Sequence, residues 1–145
     1  MKILLPFDGS SQALAAVRFA IRLADSGLEV HAVLANVQEP ASLYELLVAH
    51  DPAVIATAAQ EAGRHLVQAA QALLEDAQVP YTTELATGDP AHTLVDILEN
   101  HGCELVIMGA SGTSRLRRAL LGSVSNEVLH ASGVPVMIVK SEEAA

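Results

Sequence analysis

Almost wholly apolar runs alternate in this chain with longer segments of helical periodicity, and that alternation restricts the fold more than any other feature. LLPF, VHAVLANV and LVIMG are such runs. A strand covered on both sides reads this way, and helix-length segments between such strands make parallel crossovers. Strands are expected at residues 2–7, 29–37, 81–87, 104–109 and 134–140. The fold class is therefore α/β, a five-stranded parallel sheet with helices on both faces.

The crossovers carry their own punctuation. Ser10 is placed to cap a helix whose Leu14, Val17, Ile21 and Ala24 fall on one face, and Ser26-Gly27 supplies its stop. Pro52 opens a second helix running to about residue 77, after a segment 38–52 whose Leu43, Leu46 and Leu47 form a small apolar cluster and which is expected to be variable and partly mobile. Gly88-Asp89-Pro90 reads as loop, cap and first helical residue of a helix over 91–100 with Leu94, Ile97 and Leu98 inward. The last helix starts near Ser123 and ends at Ser132-Gly133.

Polarity sets the strand order. YTTELAT alternates and carries three Thr and one Glu, so the third strand belongs at an edge. With right-handed crossovers the order 3-2-1-4-5 puts it there, whereas 2-1-3-4-5 would bury it. Strands 1 and 4 then meet where the winding reverses, and open α/β sheets bind ligands beyond the carboxyl ends of strands at that point. The residues there are Pro6-Phe7-Asp8-Gly9 and Gly109-Ala110-Ser111-Gly112.

Composition narrows the partners. The 145 residues suit one domain, long enough to bury about two-thirds of the unfolded chain's surface. Seventeen acidic against eight basic residues give a net charge of -9, which argues against nucleic acid and anionic membrane surfaces. Cys103 is alone, which fits a reducing cytosol, and the opening MKILLPFDGS has an apolar run too short for a signal or a span. A cytoplasmic location is expected. His31, His50, His65, His92, His101 and His130 are scattered without metal-ligand spacing, no G-x-S-x-G elbow accompanies Ser10, and Asp8 is single where a receiver domain needs an acidic pair. No catalytic set and no protein metal site is expected.

The segment GASGTSRLRRALLGS, 109–123, holds the chemistry. It is neither a Walker A loop nor a G-x-G-x-x-G fingerprint. It reads Gly109-x2-Gly112-x9-Gly122-Ser123, and glycines let main-chain N–H groups approach an anion, the more so where a helix begins. Arg115, Arg117 and Arg118 either clamp a polyphosphate or, interleaved with Leu116, Leu120 and Leu121, form the solvated face of a short amphipathic helix.

This pattern resembles the nucleotide loop of the universal stress protein family, in its ATP-binding branch. The likeness covers nearly the whole chain: Pro-Phe-Asp-Gly-Ser after the first strand, Asn36-Val37 ending the second, Gly88-Asp89-Pro90-Ala91 before a helix, LVIMGASG, and GSVSNEVLHASGVPVMIVK. The resemblance implies a Rossmann-like fold of the adenine nucleotide alpha hydrolase-like kind. It implies that Asp8 accepts from ribose hydroxyls with Pro6 and Phe7 beside the nucleoside, and that the Val37 main chain meets the adenine edge. Gly109, Gly112, Gly122, Ser123 and Val124 would approach the phosphates, with a hydroxyl added by Ser125. ATP, in some members with Mg²⁺ or Mn²⁺, would be the cofactor.

Each residue also has a plainer account. Asp8 suits a turn or cap in its DGS context, Gly109 and Gly112 a tight turn after a strand, and Gly122 a helix break before a Ser cap. The run VPVMIVK, 134–140, is apolar yet lies at the sheet edge, where a second copy would cover it, so a homodimer through the last strand is expected. The expected function is an ATP-binding, dimeric stress-response module whose nucleotide orders segments 38–52 and 113–121 and alters a surface read by a client protein. A slow ATPase or phosphotransferase, or a nucleotide-free structural dimer, are the alternatives.

Overall fold

A computed structural model describes residues 1–40, 51–110 and 121–140. Leu43, Leu46, Leu47, Gly112, Arg115, Arg117 and Arg118 lie outside the described residues. The elements run β1 (Lys2–Pro6), α1 (Ser11–Asp25), β2 (His31–Gln38), α2 (Pro52–Asp76), β3 (Tyr81–Thr87), α3 (Pro90–His101), β4 (Leu105–Gly109), α4 (Ser123–Ala131) and β5 (Val136–Val139). The strands form one parallel sheet in the order β3-β2-β1-β4-β5, so the order argued from the polarity of residues 81–87 is the one observed.

Two apolar layers flank the sheet. On one side Ile3, Leu5, Phe7 and Leu34 meet Val17 and Ala20 of α1 and Val67 and Leu74 of α2. On the other, Leu4, Val33 and Val106 meet Leu94 and Leu98 of α3 and Val128 of α4. Adjacent strand residues thus serve opposite cores, which is why β1 reads as an unbroken apolar run. Each large aliphatic buried here stabilises by about 1.5–3 kcal/mol relative to exposure. At the margin, β3 is half-buried and spends its polar side chains on neighbours: His31 Nε2 with Thr82 Oγ1 at 2.9 Å, Gln71 Nε2 to Thr83 Oγ1 at 3.0 Å, and His101 Nε2 with Glu84 Oε1 at 2.8 Å.

Several boundaries move for identifiable reasons. β1 ends at Pro6 rather than Phe7, because Phe7 still donates to Ala35 O but its own carbonyl leaves the ladder. β2 begins at His31, since Glu29 instead offers its carbonyl to the amino terminus. β4 and β5 shorten to 105–109 and 136–139. The α1 stripe is rotated from expectation. Val17 is fully buried, but its companions are Ala13, Ala16 and Ala20, while Leu14, Ile21 and Ala24 pack at the periphery. Small side chains face the sheet because α1 lies close to β4, as described below.

Candidate functional site

The winding of the sheet reverses between β1 and β4, and the carboxyl ends of these strands border one crevice. At the end of β1, Asp8 Oδ1 accepts from Ser10 N at 3.0 Å and Ser10 Oγ accepts from Ala13 N at 3.1 Å, so the turn caps α1. Gly9 has φ +83°, a conformation that favours glycine, and a Cβ there would lie 2.7 Å from Leu66 Cδ2. Phe7 buries its ring in the core, which leaves only its main chain to line the crevice; Pro6 and Asp8 are half-buried.

At the end of β2 the strand alternation places Val37. Odd residues direct their main-chain groups to β1, as in His31 N to Met1 O and Phe7 N to Ala35 O; even residues turn to β3, as in Gly88 N to Gln38 O. Val37 therefore aims its N–H and C=O past the end of β1. Among the described residues neither group finds a main-chain partner there.

At the end of β4, Gly109 has a packing reason for its missing side chain. A Cβ would stand 2.7 Å from Gln12 Cβ and 2.8 Å from Gln12 C and O, so glycine is what lets α1 approach β4. The Gly109 carbonyl accepts from Ser125 Oγ at 2.9 Å, and Ala110 O accepts from Gly122 N at 2.9 Å. These bonds join the end of β4 to the start of α4.

α4 differs from the other described helices. α1, α2 and α3 begin on Ser10, Asp51 and Asp89, each with a side-chain oxygen on a first-turn N–H. In α4 the cap is Gly122, with φ -60° and ψ 156°, and no side chain bonds the first turn. Ser123 is thus the first helical residue and not the cap expected in the plainer account of this segment. Orphan N–H groups at a helix start favour an anion. Ser125, fully inside, commits its hydroxyl proton to Gly109 and is a bracket of the site as much as a wall of it.

Thus Pro6, Phe7, Asp8, Val37, Gly109, Gly122, Ser123, Val124 and Ser125 share the carboxyl-end side of the sheet, and Gly112 is not described. Two contributors escaped the sequence reading. Asn36, buried at 2% exposure, donates from Nδ2 to Phe7 O at 2.8 Å and accepts from Gln38 Nε2 at 2.9 Å. Gly63 of α2 leaves room for it, since a Cβ there would sit 2.7 Å from Asn36 Oδ1. A buried amide inside an apolar run, and a glycine in mid-helix, were the available signals.

The perturbed titrations lie elsewhere. The Tyr81 phenol is held above its ordinary value by its hydrogen bond to Glu75, and burial pushes the Cys103 thiol up against a smaller opposing effect of Lys2. Tyr81 is the first residue of β3 and Cys103 lies just before β4, both on the amino-terminal side of the sheet. An open groove of about 530 Å³ bounded by Met1, Leu28, Val79 and Pro80 is also at that end, away from the crevice. Among the described residues no group of His, Cys, Asp and Glu could hold a metal ion, and no helix is long and apolar enough to cross a membrane.

Residues 1–140 match the Universal stress protein family. The chain belongs to this family. It is 31% identical over 140 residues to the universal stress protein MJ0531 of Methanocaldococcus jannaschii, covering 96% of this chain and 81% of that one. The universal stress protein YxiE of Bacillus subtilis is 28% identical, with 96% and 98% covered. Of a longer universal stress protein from Mycolicibacterium smegmatis the chain spans about half, 49%. Among solved structures, the protein MJ0577 superposes with a TM-score of 0.82 at 27% identity over 98% of this chain and 96% of that one. A universal stress protein family protein from Arabidopsis thaliana with AMP bound has a TM-score of 0.69 at 16% identity, covering 99% and 93%, which shows the common fold.

Proposed function

We propose that this universal stress protein family member binds an adenine nucleotide, ATP foremost, in the crevice between the ends of β1 and β4, and that occupancy rather than turnover is its output. Asp8 takes the ribose hydroxyls, beside the main chain of Pro6 and Phe7, and the Val37 N–H and C=O meet the base edge. The main-chain amides of Ser123, Val124 and Ser125 approach the phosphates beside Gly109 and Gly122, with Gly112 as a further contributor and Mg²⁺ or Mn²⁺ as the counter-ion. The residues form one domain, which pairs with a second copy through the last strand and works in the cytoplasm on a client protein.

One observation carries this reading. Where three helices satisfy their first turn with a side-chain oxygen, α4 opens at the crevice on a glycine without one, its Gly122 N held 2.9 Å from Ala110 O. An anion supplied from outside would complete that turn. Val37 adds a donor beside an acceptor, the pairing an adenine edge requires. Two relatives of the same fold support it by what they hold: AMP in the Arabidopsis thaliana protein and cAMP in another universal stress protein, which has a TM-score of 0.67 at 23% identity.

Calorimetric titration with ATP and Mg²⁺ tests the reading. Saturable heat is expected, with a rise in melting temperature corresponding to about 2.7 kcal/mol at a hundredfold excess over Kd. Gly122→Val should abolish both while the free protein keeps its far-UV spectrum. Absence of heat and of any thermal shift at millimolar ATP would end the proposal.

A further inference from the structure

We infer that Asn36 is a positioning residue: its carboxamide takes the Phe7 carbonyl in place of the Val37 amide, opening the β1–β2 ladder so that Val37 presents both main-chain groups to a base. The inference concerns how the site is built and, in its ligand arm, rests on the nucleotide reading above.

The geometry follows from the parallel ladder. In such a pair, each residue of one strand that faces its neighbour bonds two residues of that neighbour, one on either side of its level. Ala35 faces β1 and accepts from Phe7 N at 2.8 Å. One step further, Val37 N–H would donate to Phe7 O and close the gap between the strands. That bond is not formed; Asn36 Nδ2 reaches Phe7 O at 2.8 Å instead. The substitution is chemically complete. The carbonyl, buried beneath the turn, still has a donor, so opening the ladder leaves no unsatisfied acceptor behind. Gln38 Nε2 donates to Asn36 Oδ1 at 2.9 Å and fixes which end of the amide faces Phe7.

A second element is shaped around this side chain. α2 carries Gly63 opposite it, in a helix interior where alanine would be the better helix former. A Cβ at that position would stand 2.7 Å from Asn36 Oδ1, well inside contact distance, and 3.5 Å from Leu85 Cδ2. The helix gives up intrinsic stability at the one place where a methyl group would displace the carboxamide. The same side chain therefore explains an early strand end, a polar residue in a buried run, and a glycine in mid-helix.

Amide hydrogen exchange followed by NMR on the full chain without nucleotide reads the ladder directly. In the unaltered protein the Val37 amide should exchange much faster than those of Leu34 and Ala35. In Asn36→Leu the Phe7 carbonyl is freed, captures the Val37 amide and slows its exchange by about tenfold, the worth of one net hydrogen bond. Gly63→Ala, which keeps the asparagine but pushes its oxygen aside, should move Val37 the same way and secures the test if Asn36→Leu does not fold. A Val37 amide already as protected as Leu34, or one that neither variant alters, would overturn the inference.

The ligand arm compares ATP with inosine triphosphate, whose base reverses the donor and acceptor on the edge in question. Both variants should bring the preference for ATP close to one, whereas a merely stabilising Asn36 would weaken the two nucleotides equally. If the unaltered protein binds neither nucleotide, the nucleotide reading falls while the exchange result still decides the ladder.

Discussion

α1 and α4 both begin beside the crevice, yet they begin in opposite ways. α1 is closed by its own sequence: Asp8 folds the turn onto Ser10, and Ser10 caps Ala13. α4 begins on Gly122, which has no side chain to offer, and among the described residues its start is tied to the end of β4 by the Gly122 N to Ala110 O bond and by Ser125 Oγ to Gly109 O. Two helix starts within one fold thus divide the labour. One is satisfied internally and stabilises; the other is left with amides that an external acceptor can use. The conformation of Gly122 does not require glycine, since φ -60° with ψ 156° suits most residues. What glycine contributes there is the absence of an internal acceptor.

The largest expected effect would disturb both helix starts together. Gly109→Ala introduces a Cβ 2.8 Å from the Gln12 main chain, which cannot swing away as a side-chain tip would. α1 must move off β4, at a cost of about 1–3 kcal/mol in the manner of an overpacked core. Urea unfolding with an unchanged slope should report it as a shifted midpoint. A variant as stable as the parent would mean that the close approach of α1 to β4 is not what glycine is there for.

Serine substitutions then separate the two starts. Ser10→Ala should lower stability by about 1 kcal/mol, as loss of a side-chain cap does, without changing ATP binding. Asp89→Ala on α3, also a cap, should behave alike. Ser123→Ala removes a side chain that caps nothing, so unfolding should hardly change while ATP binding weakens modestly. If Ser123→Ala cost as much stability as Ser10→Ala, the contrast between α1 and α4 would disappear.

The comparison also marks how far the sequence could be followed. The strand order was legible because residues 81–87 are polar where the other strands are apolar, and burial on two faces leaves no room for a polar strand. The starts of α2 and α3 were legible too, since Pro52 and Pro90 each follow an acidic cap. The rest depended on approach distances that no local pattern encodes. Gly109 looked like part of an anion loop, and its tight contact with Gln12 is a fact of helix-on-sheet packing. The α1 stripe was set by hydrophobicity to Leu14 and Ile21, whereas closeness to β4 selects alanine. Asn36 and Gly63 are 27 residues apart in sequence and explain one another only in contact.

A change in stability smaller than the loss of a cap comes from making α4 resemble α1. Gly122→Asp would place a carboxylate at the cap, where it can accept from the first turn and meet the positive end of the helix dipole. The free protein should gain on the order of 0.5 kcal/mol, because glycine is itself a tolerable cap and aspartate improves on it only slightly. ATP binding should respond far more strongly, since the same amides are then occupied from within and a negative charge faces the phosphates. Two experiments distinguish these effects. Raising the salt concentration should relieve part of the ATP defect of Gly122→Asp by screening the charge. Gly122→Ser, which supplies the acceptor without the charge, should show a smaller defect that salt leaves alone. Were Gly122→Asp to bind ATP as well as the parent, the open start of α4 would have to be a tolerated gap in capping, with the phosphates held somewhere else.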